Sequence, residues 1–153
     1  MGGFIIGIDL GGTKIAGALA NSNGKIIKDT FLPTPKTSAI NIYHTILKVI
    51  KELKIYCKHK KIYGIGFAVP GQIDLEKGIV INAPNLKSWN GFSLVTQLKR
   101  DLNLPIIIDN DANAAALAEC LFGSGRKFND FVYITVSTGI GSGIIINKKI
   151  FYG

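Results

Sequence analysis

The chain has 153 residues, 47% of them hydrophobic and 18% charged, which gives it enough apolar material for a sizeable core and excludes a disordered chain. No apolar run approaches the length of a membrane span. The formal net charge of +8 comes mostly from lysine and forms no basic stripe interleaved with aromatics. It therefore points to a solvated surface biased toward anionic substrates rather than to a nucleic-acid interface. Cys57 and Cys120 fit neither a metal-ligand spacing nor a redox pair and are read as reduced thiols. With no signal peptide ahead of the first strand, the expected compartment is the cytoplasm.

The apolar run Phe4-Ile5-Ile6 leads into Gly7-Ile8-Asp9-Leu10-Gly11-Gly12-Thr13-Lys14, and Ile15 to Ala20 follows. Short β-branched runs around glycines predict two strands joined by a tight turn. Gly11 and Gly12 let backbone N–H groups approach an anion closely. Thr13 and Lys14 add a hydroxyl and an ammonium suited to phosphate oxygens. Asp9, at the strand end, can hold a hydrated Mg²⁺ beside them. A plain hairpin turn explains the same residues. Neither the Walker nor the Rossmann spacing is present.

After a turn at Asn21-Ser22-Asn23-Gly24, a third strand is predicted from Lys25 to Leu32, ended by Pro33 and Pro35. Thr37 or Ser38 can cap a helix whose core stripe is Ile42, Ile46, Ile50 and Leu53. A buried strand spans residues 61–69 and stops at Pro70-Gly71. A connection with a short apolar piece, Ile79-Val80-Ile81, leads to Asn85 and Trp89. Leu94, Leu98 and Leu102 mark a helix over residues 93–102. Pro105 to Asp109 is short and wholly apolar before its last residue, so it is expected to be a central, parallel strand. An alanine-rich helix then runs from about Asn110 to Phe122 and is closed by Gly123-Ser124-Gly125.

Asp111 lies just past the carboxyl end of that strand, where ligands collect in open α/β sheets. A helix N-terminus favours a carboxylate there, and such a group can take a proton from a substrate hydroxyl. It can equally be a capping residue and nothing more. Asn110 and Asn85 can hydrogen-bond sugar hydroxyls as donor and acceptor. Trp89 can cover a sugar face or simply pack. Residues 131–146 repeat the strand, glycine turn, strand pattern, and one offset carries both Phe4 onto Phe131 and Gly12 onto Gly139. That register suggests a duplicated domain with one phosphate grip in each copy. The order β-β-β-α-β-α-β-α describes a ribonuclease H-like α/β fold of the actin-like ATPase and sugar kinase type, a mixed sheet with helices on both faces.

Four segments carry a family resemblance: Ile8-Asp9-Leu10-Gly11-Gly12-Thr13-Lys14-Ile15-Ala16, Ala83-Pro84-Asn85-Leu86, residues 110–119, and Thr138-Gly139-Ile140-Gly141-Ser142-Gly143. Together, in this order, they resemble the ROK family of repressors and sugar kinases, closest to its bacterial-type glucokinases. The resemblance implies an ATP-dependent hexose kinase using Mg²⁺; a homodimer is expected, and from charge and apolar run length neither nucleic acid nor membrane is expected as a partner. It assigns Gly11, Gly12, Thr13 and Lys14 to a first phosphate loop and Thr138, Gly139 and Gly141 to a second. Gly71, Asn85, Asn110 and Asp111 would bind sugar, glucose before other hexoses, with Asp111 the catalytic base.

The family continues past this point to a Gly-Glu-Ile-Gly-His segment, a zinc cluster of the form Cys-x-Cys-Gly-x-x-Gly-Cys and an adenine pocket, all beyond Gly153. The expected organisation is a sugar-binding domain over residues 1–125 and the opening hairpin of an ATP-binding domain over residues 126–153. A lone hairpin is marginal in water, and this one carries Phe131, Tyr133, Ile144, Ile145 and Ile146 with no sheet or helix expected to cover them. It is therefore expected to be disordered, folded back on the first domain or paired with a neighbouring chain, and the chain alone is expected not to phosphorylate sugar. Two alternatives stand beside the kinase: a non-catalytic sugar-binding module, and a sugar-responsive transcriptional regulator of the same family. With the first strand beginning at Phe4, the DNA-binding domain that a regulator needs is not expected ahead of it.

Overall fold

The computed structural model describes residues 2–136 and 139–152, and within that range not the side chains of Asn85 and Lys87. The chain divides into two compact units, Met1–Asp109 and Asn110–Gly153.

The first unit is built on a five-stranded sheet. β1 (Phe4–Leu10), β2 (Lys14–Asn21) and β3 (Ile26–Pro33) are antiparallel neighbours, as the sequence predicts, and β4 (Ile62–Val69) runs parallel to β1. With β7 (Ile106–Asn110) the order is β3-β2-β1-β4-β7, so β1 is central. Period-two alternation sends Phe4, Ile6, Ile8 and Leu10 to one face, where they are buried. Between β4 and β7, β5 (Gln72–Asp74) and β6 (Ile79–Asn82) form a small antiparallel ribbon, of which the sequence marks only the apolar piece Ile79-Val80-Ile81.

The buried face is closed by α1 (Ala39–Ile55). Ser38 caps it as expected, its side chain accepting from the Asn41 N–H at 3.3 Å. Ile42, Ile46, Ile50 and Leu53 form the predicted stripe and are fully buried, each contributing about 1.5–3 kcal/mol of transfer free energy. Tyr43 adds a tie to α2 (Leu94–Leu102): its hydroxyl donates to Asp101 Oδ2 at 2.6 Å. Burial and that bond push the phenol well above its ordinary range. The buried Cys57 thiol is likewise pushed up by burial.

One expectation needs correction here. β7 is an edge strand, not a central one: Ile106 and Ile108 face the core, but Ile107 is 72% exposed. An apolar run reports the side chains of a strand and not its neighbours. Of the two roles open to Trp89, the packing one holds: in the 3₁₀ segment Pro84–Trp89 it is fully buried, with its ring centroid 4.7 Å from that of Phe92.

In the second unit, β8 (Phe131–Val136), β9 (Ile140–Ile146) and β10 (Lys149–Phe151) make an antiparallel sheet of order β10-β9-β8. The hairpin does not lack a helix, contrary to expectation. α3 (Asp111–Leu121) packs Ala116 and Cys120 against Ile145, with Phe131, Tyr133 and Ile150 around them. α3 lies close because β9 carries glycine at the crossing: a Cβ on Gly143 would stand 2.6 Å from Ala116 Cβ. The alanine-rich sequence of α3 allows that approach but does not say which sheet receives it.

A comparable close approach holds the first unit. A Cβ on Gly17, in β2, would lie 2.5 Å from Val49 Cγ1 and 2.9 Å from Leu53 Cδ1 of α1. Gly17→Ala is therefore expected to destabilise the chain by about 1–3 kcal/mol through overpacking. Urea unfolding measures it, and an unchanged midpoint would show that α1 can move away without penalty.

Candidate functional site

The first glycine turn lies between the paired ends of β1 and β2, where Leu10 faces Ile15. The Gly11 N–H donates to the Lys14 carbonyl at 3.0 Å, and a Cβ on Gly11 would sit 2.8 Å from that same oxygen. Glycine at 11 thus has a steric cause within the turn itself. The carbonyls of the turn are taken up by the segment that follows β3. Thr34 Oγ1 donates to the Gly11 carbonyl at 2.7 Å, Lys36 Nζ donates to the Gly12 carbonyl, and the Thr34 N–H donates to the Thr13 carbonyl at 2.9 Å. No described residue accepts from the N–H groups of Gly12 or Thr13. The Thr13 and Lys14 side chains are exposed, and the Lys14 ammonium stands 5.7 Å from the Phe31 ring centroid. Asp9 is exposed on the sheet face opposite the core.

Asn110 and Asp111 divide the work at the start of α3. Asn110 is the capping residue: its Oδ1 accepts from Ala112 N at 2.9 Å and from Asn113 N at 3.4 Å. Asp111 is the first residue of the helix, exposed, with its Oδ1 2.9 Å from Ala112 N. From sequence the possible cap is Asp111, and Asn110 is a partner for sugar hydroxyls. The structure moves the cap back by one residue, because Asn110 has extended backbone angles and Asp111 is already helical.

Gly71 closes the end of β4 with φ +89°, and a Cβ there would lie 2.0 Å from the Asn82 carbonyl, so no other residue fits. Among the second-turn residues, Gly139 is exposed with open space around it. A Cβ on Gly141 would lie 3.3 Å from Ala112 Cβ, which brings β9 beside the first turn of α3. Thr138 and the side chain of Asn85 lie outside what the structure describes. Asp9, Gly11, Gly12, Thr13, Lys14 and Gly71 therefore belong to the first unit, and Asn110, Asp111, Gly139 and Gly141 to the second. Among the described residues no cluster of three or more His, Cys, Asp or Glu is placed to hold a metal ion.

The family model described as "ROK family" matches residues 5–153. The chain belongs to the ROK family. A xylose repressor from Caldicellulosiruptor bescii is 41% identical over 156 residues, covering 99% of this chain and 38% of the repressor. A glucokinase from Halalkalibacterium halodurans is 34% identical over 151 residues, covering 97% of this chain and 46% of the enzyme. The crystal structure of a ROK family glucokinase from Streptomyces griseus in complex with glucose and AMPPNP superposes with a TM-score of 0.88 at 34% identity, covering 99% of this chain and 47% of that one. The chain thus spans less than half the length of these ROK relatives. The fold is the ribonuclease H-like fold of actin-like ATPases and ROK sugar kinases.

Two residues of this ROK chain that touch the glycine turn escape a reading of the sequence, Thr34 and Lys36. The only local signal is a threonine between two prolines, Pro33 and Pro35, at a strand end. The Asn110 cap is testable on stability alone. Asn110→Ala should cost about 0.5–2 kcal/mol, whereas Asn110→Asp, an equally good cap, should cost little. Equal thermal unfolding of parent and alanine variant would contradict the capping role.

Proposed function

We propose that this ROK protein is an ATP-dependent hexose kinase, transferring the γ-phosphoryl group to a sugar hydroxyl, the 6-hydroxyl of glucose in the first instance. The observation that carries the reading is the Gly11–Thr13 turn, whose Gly12 and Thr13 N–H groups no described residue uses. Such groups, with the Thr13 hydroxyl and Lys14 ammonium beside them, suit phosphate oxygens. The fit extends to Mg²⁺ in one respect: Asp9 offers a hard oxygen ligand at a strand end, and Mg²⁺ is commonly held by one or two carboxylates together with phosphates and water. When bound, the ion neutralises phosphate charge. Gly139 and Gly141, with Thr138, supply the second phosphate contact in this reading, and zinc belongs to the part of the family beyond Gly153.

On the sugar side, Asp111 is exposed at the first position of α3 and can accept the proton of the attacking hydroxyl. Asn110 fixes the helix start through its Oδ1, so the backbone that carries Asp111 is held rigidly. Asn85 and Gly71 complete the proposed sugar contacts. Dependence on ATP is consistent with a cytoplasmic protein, and no described helix is long and apolar enough to cross a membrane.

A second reading has its own support: the xylose repressor matches at 41% identity, above the 34% of the glucokinase. A sugar-responsive regulator needs the sugar side and has no need of N–H groups presented to phosphate. The whole protein, this chain with its natural continuation, separates the two. Followed by ADP release over a panel of hexoses and xylose, it should turn over with a hexose, and Asp111→Asn should lower turnover by about 10²–10⁴-fold while sugar binding survives. Sugar binding without ADP release in the parent protein favours the regulator, and near-normal turnover in the variant removes Asp111 from the role of base.

A further inference from the structure

The segment after β3 does more than leave the sheet. β3 pairs with β2 to the end, Pro33 opposite Lys14, and the chain then crosses the glycine turn and engages all three of its carbonyls. Thr34 is only 5% exposed, one of two buried polar residues of the described chain, and it spends both its hydroxyl and its N–H on this turn. A trans peptide is planar, with the C=O of one residue and the N–H of the next pointing in opposite directions. Pinning the Gly11 carbonyl therefore turns the Gly12 N–H away from the strap. Pinning the Gly12 carbonyl does the same for the Thr13 N–H, and pinning the Thr13 carbonyl does it for Lys14.

We propose that Thr34 and Lys36 are positioning residues for phosphate binding: they orient the Gly11–Thr13 peptides so that successive N–H groups converge on an anionic oxygen chain. This rests on the phosphate-turn reading above and adds to it the cause of the turn's orientation. Two glycines side by side are conformationally free, and ordering them only when an anion arrives would weaken binding. Here the order is supplied beforehand by side chains more than 20 residues away in sequence. Lys36, exposed, also leaves a positive charge at the edge of the turn.

The test uses the 153-residue chain with Thr34→Val, Thr34→Ser and Lys36→Met, and inorganic tripolyphosphate as the probe, because it carries the phosphates without adenine. In the ligand-free proteins, ¹⁵N relaxation reads the Gly11, Gly12 and Thr13 amides. Order parameters near the rigid value of about 0.85 in the parent should fall toward about 0.6 in Thr34→Val and recover in Thr34→Ser. Tripolyphosphate affinity should fall about tenfold with the lost hydrogen bond and recover with serine. Lys36→Met, which keeps the exposed stem and cannot disturb the core, should move both in the same direction. Unchanged order parameters in Thr34→Val and Lys36→Met would overturn the proposal. A parent whose ordered turn shows no tripolyphosphate response would instead remove the phosphate reading, and the relaxation comparison would still decide whether the strap orients the turn.

Discussion

The β1–β2 ladder is the constraint on which the candidate site depends. Seven consecutive pairs, from Phe4 opposite Asn21 to Leu10 opposite Ile15, fix the register. A slip of one residue would turn Ile6, Ile8 and Leu10 out of the core and Asp9 into it. With the register fixed, the turn falls at Gly11–Thr13, at the end of the central strand, and β3 is carried far enough along β2 for its exit to reach back over that turn. Burial on one face thereby determines where N–H groups are displayed.

Each unit uses glycine to bring a helix close to a strand, and in each case the glycine lies on the second strand of a hairpin: Gly17 on β2 under α1, Gly143 on β9 under α3. The helices themselves are not equivalent. α1 follows its three strands in the chain, whereas α3 precedes its own. The internal repeat visible in the sequence thus describes the strands and their turns and does not extend to what covers them. The second hairpin owes its burial to a helix that a domain count by repeat assigns elsewhere.

Features set by local chemistry were legible in the sequence. The stripe Ile42, Ile46, Ile50, Leu53, the Ser38 cap and the three antiparallel strands all follow from spacing and from single residue types. The glycine turn was legible as a turn, and Gly71 as the end of a strand. What escaped was set at a distance. The edge position of β7 depends on which strands pair, and the allegiance of α3 on a glycine some 30 residues later. The Thr34 and Lys36 contacts have no periodicity at all, because a hydroxyl and an ammonium meet carbonyls on another strand end. The cap at Asn110 rather than Asp111 was lost by a single residue, since both types cap well and only the backbone angles distinguish them.

The relatives of this chain include glucokinases and xylose repressors, and the phosphate role proposed for the turn between β1 and β2 is what separates the two readings. Calorimetric titration of the whole protein with a non-hydrolysable Mg-ATP analogue, with glucose present, tests that most directly. A kinase built as described should bind the analogue saturably, one per chain, and lose that binding when Gly12 is replaced by valine. Glucose binding with no heat from the nucleotide would contradict it and leave a sugar-responsive regulator.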